Sequence, residues 1–391
     1  MIELVFLRLG LSSGVRHWAT YQTDKVVIAS GRRTVSFSEL NLMADRVAAA
    51  LMRRGISAHD KIGLYALAPV SVAQMAIAIA RVGGEIVFLN ALEPAAAQSA
   101  CRESGCGAIL VDDRDERCAA ARVAGGPPIL SLHELEREGG QHAPPSIRRS
   151  IDWGWGRFYS ALSDGTLRGA VRSDLSFLME LVGWALELGI RRSSVCYAGR
   201  SFTQLGGVAI PFTTLMVGAT LIAPMQHTAE AYFSACASGR VDLACLFDDQ
   251  IDAVLEAASD APARGRAGAP DIVVMGASPS ADKVAAVRDK LGARLIAVWA
   301  NAAGIRTIAR PDDAVRKPGS IGRQFITDSL WVVDGSGTIL PPGRVGRLAS
   351  VADPHVRHRV ASAPDARPGN LIVSEDVAYV DEDGYFFLQP S

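Results

Sequence analysis

Short β-branched runs alternate with helix-length apolar segments along most of this chain, and that rhythm constrains the fold more than any other feature. Residues 26–29 form a β-branched run ended by Gly31, and Thr34 with Val35 supplies a hairpin partner. Ser36 followed by Glu39 makes a capping box. It opens a helix with Leu40, Met43, Ala44, Val47 and Leu51 at helical spacing, stopped by Gly55. The pattern then predicts a buried strand over 61–67, an apolar helix over 70–80, a strand over 86–89, a helix ending at 101–106 and a strand over 108–111. A linker or surface loop occupies 139–145. The rhythm resumes with a helix over 173–188, strands over 219–223, 243–247, 272–277 and 295–299, and a helix over 281–291. An Ala-, Gly-, Pro- and Arg-rich flexible loop spans 261–270. From Gly319 onward, short strands lie between Gly, Pro and Asp turns. The expected fold is α/β: two doubly wound, mainly parallel sheets flanked by helices, plus a small antiparallel β-subdomain at the C-terminal end. The expected divisions are 1–150, 151–315 and 316–391.

With 391 residues, the chain can build two or three subdomains around large cores. Hydrophobic residues make up 49%, charged residues 21%, and the net charge is −1. That balance argues against a general nucleic-acid or membrane-surface binder. Arg148, Arg149 and Arg157 read as a solvated basic face. The N-terminus lacks a basic start before its short apolar run, and no apolar stretch reaches membrane-spanning length, so a cytoplasmic protein is expected. The six cysteines show no metal-ligand pattern and are expected to be reduced, mostly buried thiols. His355 and His358 are spaced by three but lack a carboxylate partner, and no metal site is expected. His227 and the remaining histidines read as surface or packing residues.

The run from Tyr159 to Gly169 looks like a phosphate-cradling loop with parts missing. Such a loop strings together glycines and hydroxyl residues, which turn N–H and O–H donors toward phosphate, and then supplies a cation. Ser163, Gly165, Thr166, Arg168 and Gly169 fit that use. Leu162 stands where a glycine is expected, and Asp164 places a carboxylate where phosphate should lie. A carboxylate about 4 Å from a phosphate charge costs about 4 kcal/mol at an effective dielectric near 20.

The order of segments resembles the large N-terminal domain of the adenylate-forming superfamily, which includes acyl- and aryl-CoA ligases and the adenylation domains of peptide synthetases. The resemblance runs from about Asp24 to Phe387. It rests on 34–40 (TVSFSEL), 79–90 (IARVGGEIVFLN), 275–279 (MGASP), 317–323 (KPGSIGR), 333–346 and Asp376 with 381–385 (DEDGY), all in family order. It implies ATP-dependent activation of a carboxylic acid to an acyl-adenylate. Transfer to CoA or a carrier-protein pantetheine would follow. Asp376 matches the aspartate that holds the ribose hydroxyls. Gly276, Ala277 and Ser278 match the turn beside the adenine and acid pocket. Trp299, Ala300 and Asn301 match the start of the family's aromatic-Gly-x-Thr-Glu segment, with Trp299 as the adenine-packing aromatic.

Several departures accompany the resemblance. Arg168 stands for the family's lysine, Leu167 for its proline and Asp164 for its threonine. Guanidinium binds phosphate oxygens well, so Arg168 can serve. Ala302 and Ala303 stand where the family has its phosphate-contacting threonine and its magnesium-serving glutamate, so an intact magnesium site is not expected. No histidine falls within 198–207, where many relatives carry one. The family continues through a hinge into a C-terminal lid. Gln389 and Pro390 stand at that hinge, and a lid is not expected before the end at Ser391. The combined expectation is an adenylate-forming-like protein with an eroded ATP and magnesium site. It would act as a nucleotide-, acyl-ligand- or partner-binding module, with ATP or AMP and a small carboxylic acid or acyl group as ligands. The alternative is active adenylation with a lid domain supplied by a partner protein.

Overall fold

The computed structural model describes residues 10–389 except 91, 115–125, 141–146, 148, 162–166, 201, 203–204, 239, 259–268, 277–279, 302–304 and 352–370. Helix α1 is Leu11–Tyr21, followed by the hairpin β1 (Val26–Ser30) and β2 (Arg33–Ser36) and by α2 (Phe37–Arg53). The Ser36 hydroxyl accepts the Glu39 N–H at 3.2 Å, and the Glu39 carboxylate accepts the Ser36 N–H at 2.7 Å, closing the expected capping box. Strands β3 (Lys61–Tyr65), β4 (Glu85–Phe88), β5 (Ala108–Val111) and β6 (Ile129–Ser131) follow, with helices α3 (Pro69–Arg81), α4 (Pro94–Ser104) and α5 (Leu132–Gly139).

Next come β7 (Gly154–Ala161), β8 (Leu167–Ser173), α6 (Asp174–Leu188), β9 (Val195–Ala198), α7 (Leu205–Val217), β10 (Thr220–Ile222) and α8 (Ala229–Ala237). These lead to β11 (Leu243–Phe247), α9 (Asp248–Ala257), β12 (Asp271–Met275), α10 (Ala281–Ala286) with its π-helical extension Val287–Leu291, β13 (Leu295–Ala300), β14 (Arg306–Ala309) and α11 (Asp313–Arg316). The last strands are β15 (Arg323–Gln324), β16 (Leu330–Val333), β17 (Gly346–Val351), β18 (Leu371–Val380) and β19 (Phe386–Leu388).

The strands form three sheets. One runs β15-β14-β13-β12-β11-β9-β10-β1-β2, the second runs β6-β5-β3-β4-β7-β8, and the third is the antiparallel β16-β17-β18-β19. Within the first, β1, β10, β9, β11, β12 and β13 are parallel, while β2, β14 and β15 pair antiparallel. In the second, β7 pairs parallel to β4, and β8 folds back antiparallel on β7. The fold is therefore mixed α/β with two mainly parallel sheets and a small antiparallel sheet. Sheet membership cuts across a division at residue 150: β1 and β2 join the nine-stranded sheet, while β7 and β8 join the six-stranded one.

Helix α3 explains how the two large sheets stay together. All thirteen of its residues are buried, as its apolar circumference demands. It touches β1 of one sheet and β3 and β4 of the other. Ile28 and Leu221 from the first sheet share one apolar cluster with Ile62 and Leu64 from the second. The one charge on α3, Arg81, is neutralised by Asp45 at 2.9 Å and donates a hydrogen bond to the Asn41 side-chain oxygen at 2.7 Å.

Candidate nucleotide site

In open α/β sheets, ligands bind outside the carboxyl ends of the parallel strands. Strands β12 and β13 end side by side at such an edge, at Met275 and Ala300. Gly276 follows β12 with φ +119°, and its N–H donates to the Val298 carbonyl at 3.0 Å. A Cβ there would meet nothing within 4 Å, so conformation and not crowding calls for glycine at this turn.

Asn301 follows β13 and closes a small loop. Its N–H donates to the Ile305 carbonyl at 3.1 Å, and its side-chain oxygen accepts the Ile305 N–H at 3.0 Å. Its Nδ2 reaches the antiparallel sheet and donates to Asp376 Oδ2 at 2.7 Å. Asp376 lies on β18, and the Ser374 hydroxyl donates to the same oxygen. The Asp376 N–H donates back to Ser374 Oγ at 2.8 Å. The carboxylate is thus fixed between two sheets by two neutral donors. Short polar side chains that bond nearby backbone suit such turns, which accounts for Asn at 301 and Ser at 374. The structure therefore brings Asn301 and Asp376 together, with Gly276 on the adjacent strand. Ser374 was not singled out from sequence, because a serine two residues before an aspartate has no signature of its own.

Trp299 is only 8% exposed and packs with Ile305, Ile321, Leu330, Val332, Leu348, Ala378 and Phe386. Its indole therefore lies at the junction between the nine-stranded and the antiparallel sheet. Ala300, the next residue, is exposed at the strand end. Ala277 and Ser278 lie outside the described residues, as do Ala302 and Ala303.

The phosphate-loop candidate is largely a β-hairpin. Tyr159 pairs with Gly169, Ser160 with Arg168 and Ala161 with Leu167. Ser163, Asp164, Gly165 and Thr166 lie outside the described residues, and for Arg168 only the backbone position is described. Gly169 has a packing reason: a Cβ there would sit 2.9 Å from the Tyr159 ring. The Tyr159 hydroxyl donates to the Ala100 carbonyl at 3.0 Å and bonds the Glu103 carboxylate. Burial, with Glu103 adding to it, pushes this phenol well above its usual range.

The 317–323 segment acts as a joint between sheets. The Thr307 hydroxyl donates to the Ile321 carbonyl at 2.6 Å, and the Ile321 N–H donates to the Phe386 carbonyl at 2.9 Å. Gly319 and Gly322 have φ +81° and +96°, the turn geometry expected of them.

His227, expected as a surface or packing residue, has a polar partner. Tyr197, at the end region of β9, shares a 2.9 Å hydrogen bond between its hydroxyl and Nδ1 of His227. A Cβ on Gly199 would lie 2.9 Å from the same nitrogen, so His227 stands beside the 198–207 segment that lacks a histidine of its own. Burial lowers the His227 pKa from its ordinary 6.5. Nearby, the Arg200 guanidinium lies 4.9 Å over the Phe247 ring and 2.6 Å from Asp249. Among the described residues no group of three or more His, Cys, Asp or Glu side chains could hold a metal. No helix among them is long and apolar enough to cross a membrane. His355 and His358 lie outside the described residues.

Residues 15–356 match the AMP-binding enzyme family. The chain is 20% identical to 2-succinylbenzoate–CoA ligase of Geobacillus sp. (strain WCH70), over 93% of this chain and 74% of that protein. It is 23% identical to enterobactin synthase component E of Escherichia coli (strain K12), over 96% of this chain and 74% of that one. Among solved structures, the N-terminal domain of FACL13 from Mycobacterium tuberculosis superposes with a TM-score of 0.87 at 19% identity, covering 97% of this chain and 99% of that one. O-succinylbenzoate coenzyme A synthetase from Bacillus subtilis, in complex with AMP, superposes with a TM-score of 0.83 at 16% identity, covering 96% and 97%. The topology, the Asn301–Asp376 edge and the match over 15–356 converge: this chain belongs to the AMP-binding enzyme family, the adenylate-forming acyl and aryl acid ligases.

Proposed function

We propose that this chain binds a nucleotide or acyl-adenylate at the β12–β13 edge while its handling of magnesium and triphosphate is eroded, so that it acts as a binding module and not as an adenylating catalyst. The observation that carries this reading is Asp376, fixed by Asn301 and Ser374 through Oδ2. In this reading the other carboxylate oxygen, Oδ1, accepts a ribose hydroxyl. A preformed acceptor loses little entropy on binding.

The magnesium ion of the family does not fit the residues present. Magnesium requires hard oxygen ligands, and Ala303, at the family's magnesium-serving glutamate position, carries only a methyl group, as does Ala302 at its phosphate-contacting threonine position. Asp164 adds a negative charge to the phosphate-loop candidate. Both features disfavour a triphosphate more than a monophosphate. The Bacillus subtilis synthetase has been solved with ATP and magnesium ion and with the acyl-adenylate OSB-AMP, and VinN with L-aspartate. These support a small carboxylic acid or its adenylate as the ligand class. CoA or a carrier-protein pantetheine remains the matching thiol class, on family grounds alone.

The competing reading is active adenylation, and it draws on Arg168 at the family's lysine position. Pyrophosphate release from ATP, assayed over a panel of aliphatic, aromatic and amino acids with magnesium, separates the two. No release above background is expected. Magnesium-dependent release that Arg168→Ala abolishes would establish the competing reading instead.

A further inference from the structure

Helix α4 ends in a turn built for contact between two side chains, and both of them are cysteines. Gly105 takes the left-handed conformation (φ +70°) after the last helical residue, Ser104. The Cys106 N–H donates to the Cys101 carbonyl at 3.0 Å, and the Gly105 N–H to the Arg102 carbonyl at 3.3 Å. These two bonds define a Schellman turn, in which the side chains of the flanking positions, here Cys101 and Cys106, pack against each other. The usual occupants are apolar residues; here they are two thiols. Cys101 is 1% exposed, Cys106 is half-buried, and both belong to one apolar cluster.

Polar groups crowd Cys106 from one side. The Ser104 hydroxyl lies 3.3 Å from its sulfur, and Lys61 Nζ donates to the Ser104 carbonyl at 2.7 Å. A hydrogen bond from the Cys101 thiol holds Cys106 below the usual thiol range, and the same bond, with burial, pushes Cys101 well above it. Cys106 is the more accessible sulfur of the pair and is placed to attack, and Cys101 lies behind it as a resolving one. Cys196 and Cys245 are buried in the sheet, and burial raises both to about 12, which leaves them inert.

We propose that Cys101 and Cys106 form a reversible disulfide on reaction with a hydroperoxide, making the end of α4 a modification site of this protein. The Cys106 thiolate attacks the peroxide oxygen. The O–O bond breaks, and an alcohol or water leaves with one proton, giving Cys106 sulfenic acid. The Cys101 sulfur then displaces the sulfenic oxygen, which departs as water with the Cys101 proton. Two electrons pass from the sulfurs to the peroxide. The bridge spans a turn already closed by the Cys106–Cys101 backbone bond, so little chain ordering is needed to form it.

The site lies under the hairpin that carries the phosphate-loop candidate. Tyr159 and Leu167 from β7 and β8 pack on the same cluster, and the Tyr159 hydroxyl bonds the Ala100 carbonyl one residue before Cys101. The proposal stands apart from the nucleotide reading, because it needs neither ligand nor turnover.

The test treats the full chain with hydrogen peroxide under native conditions, blocks free thiols in denaturant, and analyses tryptic peptides without reduction. Trypsin cuts after Arg102, so a Cys101–Cys106 bridge joins two peptides that are otherwise separate. The joined pair is expected, lost on treatment with dithiothreitol and absent from Cys106→Ser. In Cys101→Ser, oxidation is expected to stop at a dimedone-trappable sulfenic acid on Cys106. Circular dichroism of each variant checks that it is folded. Free thiols at both positions after peroxide, direct passage of Cys106 to sulfinic acid in the wild type, or linkage of either residue to a different cysteine would overturn the proposal.

Discussion

Gly322 shows how one position can be fixed by backbone and neighbour together. Its φ is +96°, and a Cβ there would lie 2.2 Å from the Ile308 carbonyl oxygen. Gly322→Ala is expected to destabilise the fold by about 2 kcal/mol or more, read as a lower urea midpoint. The turn role of Gly322 is legible in its Gly-Ser-Ile-Gly setting; the clash is not, because it depends on how β15 pairs with β14, which carries Ile308. His227 makes the same point for charge. Burial lowers its pKa, so the folded state binds a proton less readily than the unfolded chain. Its contribution to stability is therefore complete above about 6.5 and is lost as pH falls from there through the depressed folded value. His227→Gln is expected to flatten the melting temperature between pH 7 and pH 5 relative to the wild type. An unchanged slope would remove His227 from the account. Sequence alone showed no partner for this histidine, since Tyr197 is brought to it only when β9 and the segment after β10 assemble.

At the scale of elements, local signals were read well and pairings were not. The capping box of α2, the apolar circumference of α3 and the strand β11 all follow from spacing within a dozen or so residues, and each lies where its pattern puts it. The glycines and hydroxyl residues of 159–169 predict a loop, and spacing alone does not show the strands that flank it. Much of it is paired strand, and Gly169 is there to clear the Tyr159 ring. Nor does spacing reveal that β1 and β2 cross to the other sheet, because their partner β10 lies far along the chain.

Ion pairs also tie elements together. Arg306 of β14 forks onto Asp328 at 2.6 and 3.0 Å, and Glu180 of α6 lies 3.3 Å away on its other side. Glu180 also lies 3.8 Å from Arg172 of β8, so one buried carboxylate stands between strands of two sheets. Asp328→Ala leaves Arg306 short of a partner and is expected to cost about 3 kcal/mol in equilibrium unfolding. A change below about 1 kcal/mol would mean that the arginine is compensated by other groups.

For the whole molecule, a match over 15–356 and superpositions above 0.8 place the chain in a family whose architecture it keeps. The order of short motifs was enough to expose that architecture, since each marks a turn or strand end the fold cannot shift. The chemistry at the site was less legible. Asp376 could be named from its setting, but Ser374 and the Asn301 bridge that fix it come from different strands and loops. Trp299 aligns with an adenine-packing position and lies in the apolar cluster shared with the antiparallel sheet. The proposed reading is a carboxylate that accepts a sugar hydroxyl beside positions without oxygen ligands for a metal. Titration calorimetry of AMP and ATP, each with and without magnesium, tests that combination directly, with Asp376→Ala as the control. AMP is expected to bind at least as tightly as ATP, with no gain from magnesium, and Asp376→Ala is expected to weaken it by tenfold or more. ATP binding tenfold tighter than AMP, and only when magnesium is present, would contradict it.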